Sequence, residues 1–174
     1  GQFIQINGQI KRDMVAQMLS LLPYRGGTAI DLYCGTGNLS LPLSQHFDRV
    51  IGIEGLPDLV KGAEYNAAHN NIDNVEFAVA DLSTGIDLNH SGLQQNKNID
   101  VIVLDPPRNG AAGVMPWVAK STVPKVLYIS CHPSTMIRDA SVLAEAGYAI
   151  TAAGVMDMFP HTTHIEAMVL FEKP

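Results

Sequence analysis

Two side chains in the second half of the sequence have the chemistry needed for covalent catalysis. Cys131 lies in ISCHP, between an apolar run and a proline, and Glu166 lies in HTTHIEAMVLF, inside an otherwise apolar segment. A thiolate can add to an electron-poor ring carbon, and a carboxylate can later remove a proton from the neighbouring carbon. The pair therefore suits methyl transfer to a carbon such as carbon 5 of uracil, which also requires a methyl donor in the same pocket.

Each of these residues also has a purely structural interpretation. Glu166 could be a carboxylate at a strand end that faces solvent. His132, which follows the candidate nucleophile, could lower the pKa of the thiol or could simply occupy the turn. Cys34, the other cysteine, lies beside a glycine turn and is most simply a small packed side chain.

The stretch DLYCGTGNLS (31–40) predicts a site for a nucleotide-like cofactor. Asp31 is near the end of an apolar run, Gly35 and Gly37 form a turn, and a helix is expected to follow. Glycines let the backbone approach a ligand, and a helix amino terminus offers unpaired N–H groups. A dinucleotide site would show GxGxxG, but Ser40 replaces the third glycine. The DxxxGxG form resembles instead the motif of S-adenosylmethionine-dependent methyltransferases.

Three further carboxylates follow strand-like runs. Glu54 could accept hydrogen bonds from both hydroxyls of a ribose, and Asp81 could meet the adenine amino group. Asp105 precedes the two prolines of LDPPRNG, which hold it in an extended, rigid backbone. Arg108 in the same motif suits a phosphate, a carboxylate or a base edge. The alternatives are helix capping or turn formation for Asp31 and Asp81, and an ion pair for Arg108.

The segments that must position these residues alternate between strand-like and helix-like patterns. Strands are predicted at 28–33, 49–54, 75–80, 99–105 and 125–130, and helices around 14–22, from 39, at 57–70, through 117 and at 134–146. The strands are apolar at both odd and even positions, which is typical of strands covered on both faces. We therefore predict an α/β, Rossmann-like methyltransferase fold with a mostly parallel seven-stranded sheet. The runs 150–159 and 164–173 predict an antiparallel carboxy-terminal strand pair.

The candidate residues follow successive strands, and ligands of such sheets bind beyond the carboxyl ends of the strands.

The 174 residues, 47% apolar and 16% charged, suit one domain. No apolar stretch reaches the length of a membrane span and no signal peptide is evident, so a cytoplasmic location is expected. Two cysteines without CxxC spacing predict free thiols.

The net charge of −6 argues against binding nucleic acid through bulk electrostatics alone. A zinc site built from Cys131, His132, His161 and His164 fits no closed tetrahedral spacing, so no metal is expected.

Together the motifs resemble the RNA uracil-5 methyltransferases, most closely the type that makes 5-methyluridine in 23S ribosomal RNA. The resemblance runs from Phe3 to about Phe171 through FIQIN, DLYCGTGN, VIGIE, LDPPRNG, YISCHPSTMIRD and DMFPHTTHIE. It implies S-adenosylmethionine as cofactor and RNA as partner. It also implies Cys131 as nucleophile and Glu166 as base, with Asp105 serving both catalysis and cofactor binding. The other implied cofactor residues are Gln5, Tyr33, Asn38, Glu54 and Asp81, beside the glycine turn of Asp31, Gly35 and Gly37.

The chain departs from this family at His132, where relatives usually carry asparagine. Relatives of this type also have an OB-like RNA-binding domain and a central domain, which in some holds an iron-sulfur cluster, and neither is matched here. The resemblance therefore implies that residues 1–174 form a single catalytic domain and that RNA affinity resides elsewhere. The residues leave open a transfer RNA uracil-5 methyltransferase, a small-molecule methyltransferase and a cofactor-binding module without activity.

Overall fold

The computed structural model describes the backbone of residues 2–85, 98–157 and 165–174, and the side chains of 12–85, 98–155 and 166–174. Its strands form one seven-stranded sheet in the order β3-β2-β1-β4-β5-β7-β6. They are β1 (Thr28–Leu32), β2 (Arg49–Glu54), β3 (Val75–Val79), β4 (Val101–Leu104), β5 (Lys125–Ser130), β6 (Ala149–Asp157) and β7 (Ile165–Glu172). The first five strands are parallel, whereas β7 is antiparallel to both β5 and β6. The predicted fold class is confirmed.

Five helices connect or flank the strands within the described residues. They are α1 (Gln2–Leu21), α2 (Ser40–Leu43), α3 (Pro57–His69), α4 (Met115–Lys120) and α5 (Pro133–Glu145). The helix expected from residue 39 is only the four-residue α2, whereas α3 and α5 lie within one residue of their predicted bounds. Helix α1 ends before Pro23, as expected. No helix among the described residues is both long enough and apolar enough to cross a bilayer.

The strand ends differ from prediction where the backbone leaves the extended conformation. Strands β2 and β5 have their predicted bounds, but β1 is one residue shorter because Tyr33 has a φ of +62°. Strand β4 ends at Leu104, although the Asp105 N–H still donates to the Leu32 carbonyl at 3.5 Å. Pro106 and Pro107, which have no N–H, end the pairing there.

Buried apolar side chains cover both faces of the central strands. In β1, Ile30 and Leu32 pack with α4 and α5 on one face, and Ala29 packs with α1 and α2 on the other. Strands β1, β2, β4 and β5 are buried as predicted. Strand β3 is only partly buried, which corrects the expectation for that strand. It lies at an edge of the sheet, where one side has no neighbouring strand.

The order of the strands reverses at β1, which lies between β2 and β4. Connections before this point lead towards β3, and those after it lead towards β5. The loops that follow β1 and β4 therefore diverge and leave a crevice at the carboxyl ends of the strands. This is the edge where the sequence places its chemically active residues.

Candidate active site

A cavity of about 730 Å³ opens at this edge of the sheet. Six of the predicted site residues line it: Asp31, Tyr33, Gly35, Asn38, Asp105 and Glu166. Four others with described side chains, Gly37, Glu54, Asp81 and Cys131, are outside its lining. Gln5 lies in α1, but its side chain is outside the described residues, as are His161 and His164.

The turn after β1 exposes its backbone to the cavity. Gly35 has a φ of +55°, and a Cβ added there would meet nothing within 4 Å. Gly37 has a φ of +89°, which only glycine adopts readily, and its N–H donates to the Cys34 carbonyl at 2.9 Å. Tyr33 holds a left-handed φ without being glycine, a strained conformation that is common at ligand sites. The turn therefore presents open backbone to a ligand.

Asp31 provides the clearest sign that the cavity accepts a polar group. Its carboxyl group is fully buried, and Oδ2 accepts a hydrogen bond from the Ser40 hydroxyl at 2.6 Å. Oδ1 has no hydrogen-bond partner among the described residues. Burial, together with the charges of Asp105 and Glu54, raises the pKa of Asp31 to about 7. A buried acceptor without a partner is costly, so it fits a ligand that brings a donor, such as an ammonium group.

Replacing Asp31 with asparagine should stabilise the protein without ligand in a pH-dependent manner. Because its pKa is raised from 3.8 to about 7, the folded state retains a proton that the unfolded chain releases, so this group's contribution to stability falls between about pH 4 and 7. The D31N protein should exceed the wild type by on the order of 3 kcal/mol at pH 8 and lose this advantage towards pH 4. Urea unfolding at several pH values measures the difference, and a variant less stable at pH 8 would contradict it.

Glu54 holds the glycine turn in place. Its Oε1 accepts from the Gly35 N–H at 3.2 Å, and its Oε2 accepts from the Leu56 N–H at 2.8 Å. Each carboxylate oxygen keeps a second lone pair, so these bonds leave acceptors for ribose hydroxyls. Besides its predicted role in cofactor binding, Glu54 therefore orients the Gly35 backbone.

Asp81 forms a turn at the protein surface. Its Oδ1 accepts from the Ser83 N–H at 3.0 Å and from the Ser83 hydroxyl at 2.6 Å, and these bonds lower the pKa of Asp81. The side chain is exposed and does not line the cavity. The structure therefore displays the turn-forming alternative for this residue.

Cys131 and Glu166 are brought together by the pairing of β5 with β7. The last pair in this register is Ser130 with Ala167; Cys131 directly follows the end of β5, and Glu166 lies one position before Ala167 in β7. The Cys131 side chain is exposed, whereas Glu166 is only 9% exposed. Residues 35 positions apart in sequence thus become neighbours at the edge of the cavity.

The charges at this edge favour a proton acceptor that works near neutral pH. Burial, and then the charge of Asp105, raises the pKa of Glu166 to about 7, and burial raises that of Asp105 to about 6. Partial burial and the charge of Glu166 raise the pKa of the Cys131 thiol. A carboxyl group with a pKa near the working pH is an efficient general base.

The segment between Cys131 and α5 is held by its backbone. The His132 N–H donates to the Ser130 hydroxyl at 2.9 Å, and the His132 carbonyl accepts from the Thr135 hydroxyl at 3.1 Å. His132 is the residue preceding α5, and its side chain makes no cap bond to the helix. These contacts require no particular side chain at 132, which favours the interpretation that the histidine occupies the turn.

The sequence predicted Gln5 as a cofactor residue but did not predict that several of residues 12–19 of α1 line the cavity. Arg12, Met14 and Leu19 line it, whereas Met18 on the same helix is fully buried in the core. The apolar residues at helical spacing were the available signal, but that spacing does not distinguish a core contact from a cavity wall.

Cys34 is 6% exposed and lies close to Gly52, as expected for a packed side chain. Among the described residues, no cluster of three or more His, Cys, Asp or Glu side chains could hold a metal ion.

The sheet order and the cavity at its carboxyl edge define a Rossmann-like fold of the S-adenosylmethionine-dependent methyltransferase class. A magnesium protoporphyrin IX methyltransferase (ChlM) from Synechocystis PCC 6803 with bound SAM superposes with a TM-score of 0.71 and covers 97% of this chain and 80% of its own. At 17% identity, that likeness shows the fold alone. The chain belongs to the tRNA (uracil-5-)-methyltransferase family, whose model matches residues 1–174.

Individual relatives agree with this family membership. The 23S rRNA (uracil(1939)-C(5))-methyltransferase RlmD of Shewanella frigidimarina (strain NCIMB 400) is 47% identical over 173 residues, which are 99% of this chain and 37% of that protein. The protein of the same name from Aliivibrio salmonicida (strain LFI1238) is 46% identical over 98% of this chain and 39% of its own. The chain therefore spans less than half the length of these relatives.

A solved structure of a related enzyme also matches. The tRNA (uracil-54, C5)-methyltransferase of Pyrococcus abyssi, in complex with S-adenosyl-L-homocysteine, is 27% identical with a TM-score of 0.77. The match covers 92% of this chain and 38% of that one. The resemblance stated from the motifs is confirmed at the level of the family.

Proposed function

We propose that this chain is the catalytic domain of an S-adenosylmethionine-dependent methyltransferase that forms 5-methyluridine in 23S ribosomal RNA. The proposal rests mainly on the β5–β7 register, which brings an exposed thiol next to a buried carboxyl group that lines the cavity. This pair matches the chemistry of a ring carbon that must be activated before it can be methylated.

Several residues would hold the cofactor. The Oδ1 of Asp31, which has no partner in the described part of the chain, would accept from the ammonium group of the cofactor. Glu54 would accept from ribose hydroxyls while it orients the Gly35 backbone. When bound, S-adenosylmethionine supplies an electrophilic methyl group. Asp81 would accept from the adenine amino group only if cofactor binding changes its present hydrogen bonds to Ser83.

The chain's own residues then carry the proton and electron movements. The Cys131 thiolate forms a bond to carbon 6 of the uracil, and the electron pair of the carbon 5–carbon 6 double bond moves to make carbon 5 nucleophilic. After carbon 5 has gained its methyl group, the Glu166 carboxylate removes the remaining carbon 5 proton. The double bond re-forms, and the sulfur leaves carbon 6 as a thiolate. Asp105 contributes negative charge beside both groups.

Ribosomal RNA is favoured over transfer RNA because the relatives at 46–47% identity are named for 23S rRNA, whereas the solved transfer RNA enzyme is 27% identical. Their names specify uracil 1939, which we take as the target. RNA binding is assigned largely to sequence outside this acidic chain, because a net charge of −6 repels phosphate. The proposed substrate places the protein in the cytoplasm with the ribosomes.

A comparison of the 174-residue chain with the full-length protein tests this function. Calorimetry should show that both bind S-adenosylmethionine, because the proposed cofactor residues lie within the chain. Methylation assays with a 23S rRNA fragment around uridine 1939 should show turnover by the full-length protein and little by the chain alone. A matched transcript with cytidine at that position is the control. Absence of 5-methyluridine with the full-length protein, or preference for transfer RNA, would contradict the proposal.

A further inference from the structure

Asp139 is a buried acid that the proposed reaction does not use. It lies in the second turn of α5, the helix that follows the nucleophile, and it is 1% exposed. Burying a carboxylate is unfavourable unless its oxygens are well paired. The partners of Asp139 therefore indicate what the position does.

Three parts of the fold meet at this carboxyl group. Its Oδ2 accepts from the hydroxyl of Tyr128 on β5 at 2.5 Å and from the backbone N–H of Ala111 at 2.8 Å. Its Oδ1 lies 3.4 Å from Nη2 of Arg138, and that nitrogen also donates to the Asn109 carbonyl at 2.9 Å. Strand β5 and helix α5 thus bind the backbone that follows the Asp-Pro-Pro-Arg motif.

The packing at Gly110 shows how closely that loop approaches the helix. A Cβ at Gly110 would lie 2.4 Å from Nη2 of Arg138, 2.9 Å from Oδ2 of Asp139 and 3.0 Å from Cβ of Thr135. Gly110 also has a φ of +85°, and its N–H closes a turn to the Pro107 carbonyl at 2.8 Å. Only a residue without a side chain allows the loop to lie this close to α5.

Two charged residues of this loop act electrostatically on the nucleophile. Asp105 and Arg108 lie at its start, and the charges of both act on the Cys131 thiol, Asp105 raising its pKa and Arg108 lowering it. Neither residue is bonded to Asp139, whose bonds are to the backbone further along the loop. The position of these two charges therefore depends on how firmly residues 109–111 are held.

We infer that Asp139, supported by Tyr128 and Arg138, is a positioning residue that fixes the 105–111 loop to α5, the helix that follows the nucleophile. Its effect on the reaction rate rests on the proposed function, whereas its effect on the loop does not. Loosening the bonds should disturb the cofactor turn after β1 less than it disturbs the 105–111 loop, because Glu54 holds that turn. Catalysis should therefore suffer more than cofactor binding.

Tyr128→Phe in the full-length protein tests the inference with the smallest change, and Tyr148→Phe is the matched control. Tyr148 is also buried, but its hydroxyl donates to the Val123 carbonyl at 2.6 Å, outside the loop. Y128F should raise hydrogen exchange at the Ala111 amide about tenfold and lower kcat about tenfold. Its affinity for S-adenosylmethionine should stay within about twofold of wild type. Y148F should change none of the three.

Gly110→Ala provides a second test, because it disturbs the same contact from the loop side and leaves Tyr128 and Asp139 intact. Faster Ala111 exchange is expected here too. Unchanged exchange in both Y128F and G110A would overturn the inference, as would faster exchange with an unchanged kcat.

A wild-type protein that methylates no RNA would refute the proposed function, and alkylation of Cys131 would then decide the inference. Release of the loop removes the larger effect of Asp105 on the thiol, so the pH profile for alkylation should move to lower pH in Y128F. An unmoved profile would overturn the positioning role.

Discussion

Replacing Cys131 with alanine in the full-length protein is expected to lower methylation of 23S rRNA by about 10⁴-fold or more, because the substitution removes the sulfur that forms the bond to carbon 6. The exposed thiol is outside the lining of the cavity. Cofactor affinity measured by calorimetry should therefore stay close to that of the wild type. A loss of both activity and cofactor binding would indicate instead that the substitution disturbs the fold.

RNA containing 5-fluorouridine separates this role from a structural one. Fluorine at carbon 5 cannot be removed as a proton, so the sulfur–carbon 6 bond persists and the protein–RNA adduct survives denaturing electrophoresis. The C131A protein should form no adduct. Cys34→Ala is the matched control and should still form it, because burial raises the pKa of the Cys34 thiol and leaves it 6% exposed. An adduct in C131A would refute the assignment of the nucleophile.

Replacing Glu166 with glutamine is expected to trap the reaction after methyl transfer. The amide has almost the same shape but cannot accept the carbon 5 proton, so turnover should fall by about 10²–10⁴-fold. Ordinary uridine-containing RNA should then accumulate as a covalent, methylated adduct on Cys131, detectable by mass spectrometry. Glu145→Gln, at an exposed position near the end of α5, is the control for loss of a carboxylate. Normal turnover by E166Q would exclude Glu166 as the base.

The pH dependence of turnover provides a second measure of the same group. Glu166 must be ionised to accept a proton, and burial together with the charge of Asp105 raises its pKa to about 7. The ionised fraction therefore grows from about one tenth at pH 6 to about nine tenths at pH 8, and the rate should rise with it. In E166Q the inflection near pH 7 should disappear, and any rise that remains should follow ionisation of the Cys131 thiol, whose pKa is raised by partial burial and by the charge of Glu166 in the wild type. A wild-type rate independent of pH in this range would argue against the base.

The sequence predicted the fold and the edge of the site well because both depend on local patterns. Apolar runs and glycine turns identified β1, β2 and β5, and residues that follow strand ends must share one edge of a parallel sheet. Asp31, Asp105 and Glu166 do share the cavity there. The antiparallel pairing of β6 with β7 also followed from the absence of a helix between them.

Other features depend on contacts between distant segments, which local patterns do not encode. The place of β7 between β5 and β6, and the wall that α1 gives to the cavity, arise only when the chain is packed. Arg138 and Asp139 resemble family residues that follow the turn of the nucleophile, but the sequence does not show what they contact. The bonds of Asp139 to Tyr128 and Ala111 cross 11 and 28 residues of sequence. The sequence allowed Asp81 either to bind the cofactor or to form a turn. The structure shows the turn, in which Asp81 bonds to Ser83 only two residues away.

The antiparallel direction of β7 determines which of its residues lie at the carboxyl edge of the sheet. In a parallel strand, the first residues lie at the opposite end of the sheet, about 20 Å from the last residues of a six-residue neighbour. Because β7 runs the other way, its first residues arrive beside the last residue of β5. The reversed direction of β7 thus brings an acid next to a nucleophile that lies 35 residues earlier in the sequence.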